Sequence, residues 1–150
     1  MKSLFETEAH QDILQRINAL KSTSKAKWGT MNANQMVKHC QGPIKVAMGK
    51  EQLNANIGFM KKMVFKLFKS SLYNDRPWKQ SIPTAPEYVV RDQPEFKTEK
   101  VALIDLVNEF NKLKDKTDWV AHPLFGNFTA DQWGKAQYKH LDHHLRQFGL

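Results

Sequence analysis

The sequence predicts an all-α protein built on four amphipathic helices, and three observations lead there. Apolar residues recur at helical spacing in four stretches, each opened by a side chain suited to cap a helix. No stretch alternates apolar and polar residues as a half-buried strand does, Glu87 to Arg91 being the only faint candidate. The links are unequal: short between the first and second helices and between the third and fourth, but roughly fifty residues, Gly49 to Lys97, between the second and third. Short links make helical hairpins, and the long one can carry the chain back so that the middle helices run parallel. The expected architecture is an up-down-down-up four-helix bundle with an extra amphipathic helix on the crossover. A single domain over residues 1–150 is expected, because a chain of this length buries about 70% of the surface it exposes unfolded.

Ser3-Leu4-Phe5-Glu6 has the form of a capping box, and Ile13, Leu14, Ile17 and Leu20 then mark the first helix up to about Lys21. His10 shares that face and is a reserve candidate ligand. In the turn-like link that follows, Trp28 is an apolar plug and Gly29 is free to take a positive φ. Asn32-Ala33-Asn34-Gln35 caps the second helix, whose inner arc is Met36, Val37, Cys40, Ile44 and Ala47. Pro43 removes a backbone donor there and should bend the helix just after His39, at the edge of the arc.

On the crossover, Ile57, Met60, Met63, Val64, Leu67 and Phe68 share a helical face, with Lys61, Lys62, Lys66 and Lys69 outside it. A helix over Ile57 to Leu72 suits either a membrane-surface or anion-docking face, or a lid packed over the bundle with lysines for solubility, the more ordinary case. Tyr73 to Lys97 contains Pro77, Pro83, Pro86 and Pro94 and reads as an irregular crossing. Thr98 is the expected cap of the next helix, with Leu103, Leu106, Val107, Phe110 and Leu113 inside and Asp105, Glu109 and Lys112 outside. His122-Pro123 reads as a turn, and Thr129-x-x-Gln132 opens the last helix, which runs to Gln147.

On that last helix His140 and His144 stand four residues apart, which puts two imidazoles about 6 Å from each other on one face. At about 100° per residue, Lys135, Lys139, Asp142 and Arg146 fall on the wet side. Trp133, Gln137, His140, Leu141, His144 and Phe148 fall inward, with His143 at the border and solvated. Buried imidazoles need partners. They can hydrogen-bond one another or the main chain, or they can share a metal ion.

Lysine and arginine outnumber aspartate and glutamate by 23 to 15, a formal charge of +8, which favours encounters with anions without selecting one. The single cysteine, Cys40, excludes an intramolecular disulfide and a cysteine-based zinc cluster, and on a helix among apolar neighbours it reads as packing. No apolar run approaches the roughly 20 residues of a membrane span, and the opening residues lack the core of a signal peptide, so a cytoplasmic location is expected.

Two stretches carry a resemblance. W-G-T-M-N-A-N-Q-M-V-K-H-C, Trp28 to Cys40, and H-P-L-F-G-N-F-T-A-D-Q-W-G-K-A-Q-Y-K-H-L-D-H-H-L-R-Q-F-G, His122 to Gly149, resemble the signature regions of the DinB-like superfamily. More narrowly they are similar to its subfamily of small bacterial proteins without assigned function. The resemblance covers nearly the whole chain, the proline-rich middle least. It implies a four-helix bundle, often dimeric, with a divalent metal held by one histidine of the second helix and two of the last. Carried over, these are His39, His140 and His144. Better-known relatives use a low-molecular-weight thiol as cofactor to transfer or isomerise substrates, and others have no demonstrated activity.

Three neutral imidazoles suit zinc, nickel or iron and leave a coordination position open, where a water or a thiol can be activated as a nucleophile near neutral pH. Gln35 and Gln137 are placed to hold the rings' second nitrogens. No inward carboxylate supplies a general base: Asp142 faces solvent and Asp131 lies at the helix start. Trp28, Trp133 and Phe125 read as core, and His122 as fixing its turn. The expected function is a metal-dependent enzyme, a thiol transferase or small hydrolase acting on a small molecule. The alternative is a non-catalytic module that binds an anion, nucleic acid or an anionic membrane surface through its basic face.

Overall fold

The structure, a computed structural model, describes residues 1–52 and 59–150. It is helical: α1 (Thr7–Ala19), α2 (Ala33–His39), α3 (Gln41–Ala47), α4 (Phe59–Leu67), α5 (Phe96–Asn111) and α6 (Ala130–Gln147), with single 3-10 turns at Lys69–Leu72 and Pro86–Tyr88. Among the described residues no strand forms, and Glu87 to Arg91 is a 3-10 turn followed by irregular chain. The isolated bridge between His122 and Gly126 closes a tight turn.

The capping signals hold at two helices and fail at two. Asn32 and Gln35 form the expected reciprocal box at α2, as do Thr129 and Gln132 at α6. At α1 the N-cap is Glu6, without a side-chain bond, because Ser3 lies further back and accepts the N–H of Phe5 at 3.3 Å. Ser3 is held there by the next residue, since the N–H of Leu4 donates to the carbonyl of Gly134 at 2.9 Å. A Cβ on Gly134 would stand 2.2 Å from the Ser3 hydroxyl, so the glycine is what lets the N-terminal segment lie on α6. At α5 the cap is Glu95, which accepts from the N–H groups of Lys97 and Thr98, so Thr98 sits inside the helix it was expected to open.

The second helix divides at Cys40 into α2 and α3, one residue after His39. Pro43 has no N–H to donate to the carbonyl four residues back, that of His39, which is where the ladder breaks. Helix α1 packs on α5 and α6, α2 on α5, and α3 on both α5 and α6. Ile13, Ile17, Met36, Val107, Phe110 and Leu141 meet at the centre, each at most 1% exposed. Helix α6 is buried on most of its circumference, Gly134, Ala136, Tyr138 and Leu145 included.

Two expectations about faces are overturned. Lys139, assigned to the wet side of α6, is 6% exposed, its ammonium donating to the carbonyls of Ser71 and Asn74 and to Asn74 Oδ1 at 2.8 to 2.9 Å. Three acceptors satisfy three ammonium protons, which is how a lysine can be buried there. The crossover helix ends at Leu67 rather than Leu72, a 3-10 turn taking over from Lys69, and Ile57 lies outside the described residues. Its apolar arc turns outward, with Met60 76% and Leu67 80% exposed, so it is not a lid packed by that face.

Candidate metal centre

His39 ends α2, and His140 and His144 stand one turn apart on α6, so the α2–α3 break and the inward face of α6 bring the three rings together. Their ring centroids are 4.7 to 5.1 Å apart, and one nitrogen from each lies within 4.8 Å of the others. All three are buried. His10, His122 and His143 do not join the group, and neither do Cys40 or, among the described residues, any carboxylate.

The outward nitrogens decide what the inward ones are. His39 Nδ1 stands 3.0 Å from the carbonyl of Tyr88, which can only accept, so this nitrogen carries the proton and Nε2 is left with a lone pair. His144 Nδ1 stands 2.9 Å from Gln147 Oε1, and Gln147 in turn donates its amide N–H to the carbonyl of Trp28 at 2.7 Å. That second bond fixes which end of the amide faces the ring, so His144 is also protonated at Nδ1 and turns a lone pair inward. His39 Nε2 and His140 Nε2 face each other at 3.2 Å. His140 Nδ1 is buried without a partner, as is the Oε1 of Gln137, three residues earlier on the same helix.

Burial also holds the rings neutral. Desolvation pushes His39 below its ordinary value against the raising effect of the Tyr88 carbonyl. It pushes His140 well below, helped by the nearby imidazoles, and His144 down to about 3. Neutral imidazoles with converging lone pairs are a donor set for a divalent cation, and the three histidines could hold one.

The two glutamines expected to hold the rings do other work. Gln35 completes its cap and donates to the carbonyl of Val90, and Gln137 donates to that of Pro43. The residues that do hold them are Tyr88, through its main chain, and Gln147. Gln147 was legible in principle, since it lies three residues after His144 and therefore on its face. A carbonyl in the proline-rich crossing leaves no mark in a sequence. Gly29, at φ +76°, passes so close that a Cβ there would stand 2.6 Å from the Gln147 amide nitrogen, which ties the Trp28-Gly29 pair to the orientation of His144.

Around the site, His143 is half-buried rather than solvated, its ring edge-on to Trp28 at 5.9 Å and to Trp78 at 5.6 Å. Asp142 is half-buried too, paired with Arg16 at 2.9 Å. Trp78 also lies 6.1 Å from His140 and donates its indole N–H to the Ser71 carbonyl. His143, Trp78, Trp28, Lys27 and Arg146 line a cleft of about 810 Å³ that reaches none of the three histidines directly. Trp28 therefore borders a cleft rather than filling the core, whereas Trp133 is 2% exposed and Phe125 is packed against the core's edge. His122 fixes its turn as expected, Nδ1 accepting the N–H groups of Leu124 and Phe125. Cys40 is buried and desolvation pushes its thiol up, which suits the packing role expected of it.

No helix among the described residues is long and apolar enough to cross a membrane. No curated protein and no solved structure matches the chain. One protein family does, along residues 2–149, and the chain belongs to it: the family described as "Protein of unknown function (DUF1569)".

Proposed function

We propose that this protein is a metal-dependent enzyme of the DinB-like type: one domain, residues 1–150, folded as an up-down-down-up four-helix bundle in which α2 and α3 together form the second helix. His39, His140 and His144 are its metal ligands. The observation that carries this reading is the pair of fixed tautomers. Tyr88 and the Gln147–Trp28 relay hold the protons of His39 and His144 on the outward nitrogens, leaving two lone pairs, on His39 and His144, to converge beside the third ring. Hydrogen bonding within the triad can use a proton of His140 for one of those lone pairs, not for both. A cation held by the three rings would answer both at once and would leave His140 Nδ1, now without a partner, free to carry the ring's proton.

His39, His140 and His144 would hold a divalent ion, which would supply Lewis-acid activation of a water or a low-molecular-weight thiol. The chain's own contribution is to position the imidazoles, keep them neutral and limit water. Trp78 and His143 stand between the ligands and the cleft and would gate a small substrate entering from that side. The group itself, among the described residues, includes no carboxylate to act as a general base, which favours a nucleophile activated by the metal itself, as in a thiol transferase or small hydrolase.

The test is metal analysis of untagged protein, as purified and after reconstitution with zinc, nickel or iron. About one ion per chain is expected, and His144→Ala should bring this close to zero while leaving the helical circular dichroism in place. Wild-type protein that takes up no ion under any of these conditions removes the reading.

A further inference from the structure

The crossover helix has its polarity reversed with respect to the rest of the molecule. On α4 the inward contact is made by Phe65, whose ring meets Phe125 edge-on at 5.7 Å. Just beyond the helix, Lys69 bonds the carbonyl of Asn127 and lies 4.5 Å over the ring of Phe128. These contacts seat one edge of the segment on the turn between His122 and Thr129. At about 100° per residue, Met60 and Leu67 point roughly 150° away from Phe65. They are accordingly 76% and 80% exposed, with Met63 and Val64 each at 52% and Phe68 at 61%. Five large apolar side chains thus form one continuous exposed stripe, where a solvated helix would carry polar ones.

The segment's charge is of one sign: between Glu51 and Asp75 the sequence has no acidic residue and four lysines, of which Lys69 is held on the Asn127 carbonyl and Lys66 stands exposed in the last turn of α4. Two copies of the chain meeting through this face would repeat it across a two-fold axis, bringing the segment's lysines towards one another with no carboxylate of the segment to answer them. A lipid surface with anionic headgroups answers both features, since its acyl boundary accepts the apolar stripe and its phosphates the lysines. We propose that α4 is an interfacial docking helix, which lies in the plane of an anionic membrane surface with Met60, Met63, Val64, Leu67 and Phe68 inserted. The protein is then a peripheral membrane protein, held by an element that does not contribute to its core. This proposal does not depend on the metal reading.

The experiment is co-sedimentation of the full chain, in chelator, with phosphatidylcholine vesicles and with vesicles in which about a third of the lipid is phosphatidylglycerol, at near-physiological salt. Binding to the anionic vesicles is expected to be at least about tenfold tighter than to the neutral ones. The double variant Met60→Glu/Leu67→Glu should lose about tenfold or more of that binding, with an unchanged melting temperature because both side chains are already in solvent. Lys66→Gln should weaken the preference for anionic lipid a few-fold, roughly the share of one surface charge. The proposal is overturned if the wild type does not pellet with anionic vesicles, or if the double variant pellets as well as the wild type. It is equally overturned if sedimentation velocity shows a dimer that the double variant splits while vesicles capture neither form.

Discussion

Leu145 on α6 and Leu67 on α4 each lie in the apolar arc of an amphipathic helix, yet Leu145 is 1% exposed and Leu67 is 80%. The sequence pattern around the two is of the same kind. What differs is the neighbourhood: α6 is covered by α1, α3 and the Lys69–Leu72 turn, whereas the contacts that seat α4 are to the aromatic turn after His122. Periodicity states which side chains share a face, and only the surrounding elements decide which way that face turns. The same comparison explains why polar residues survive inside. On α6, Lys139 is buried because two carbonyls and an amide oxygen meet it and His144 because the Gln147 amide does, while the outward stripe of α4 contains no polar atom that needs a partner.

The comparison breaks most easily at its core end. Leu145→Ala should lower the free energy of unfolding by about 2 to 5 kcal/mol, read from the denaturant midpoint, because it leaves a void in a packed interior. A cost under about 1 kcal/mol would mean that α6 is no more enclosed than α4. Next in size is Gln147→Leu, which takes away the acceptor that fixes His144. Metal affinity, measured in competition with a chromophoric chelator, should fall about 10- to 100-fold, with the fold intact.

The turn that seats α4 offers a sharper probe, through pH. Burial lowers the His122 pKa to about 4 from an ordinary 6.5. The unfolded chain therefore takes up this proton first as acid is added. The associated stability is complete above pH 6.5, declines as the pH falls towards 4, and is level below that. With allowance for partial exposure the loss is on the order of 2 kcal/mol, and His122→Asn, which keeps an acceptor for the turn, should flatten that part of the profile. Smallest of all is Leu67→Ala. Its effect on unfolding should stay within about 0.5 kcal/mol, since the side chain has little burial to lose. If it costs as much as Leu145→Ala, the arc of α4 is covered in solution and the contrast disappears.

Much of this was legible in the sequence where one strong local rule acts alone. The capping boxes at Asn32 and Thr129, the break after His39 from Pro43, and the inward turn of His140 and His144 each follow from a few neighbouring residues. The failures share a cause, which is a distant group outbidding a local one. Ser3 does not cap α1 because the Leu4 N–H, beside it, is claimed by Gly134, and Lys139 leaves solvent because the chain returns with three acceptors at Ser71 and Asn74. The inward turn of His39, His140 and His144 was legible from the helix faces. The direction of their lone pairs was not, because it depends on carbonyls at Trp28 and Tyr88 that any residue could have supplied.

Those two carbonyls come from positions about sixty residues apart, and the imidazoles from two further places, so the donor set exists only once four separate lengths of chain have arrived. Before that moment the same histidines are ordinary bases scattered along a coil, with no claim on an ion beyond that of a free imidazole. An ion taken up here is thus a receipt for completed folding: the tighter the grip, the larger the share of the molecule's persistence that is lent by its cargo and withdrawn by a chelator.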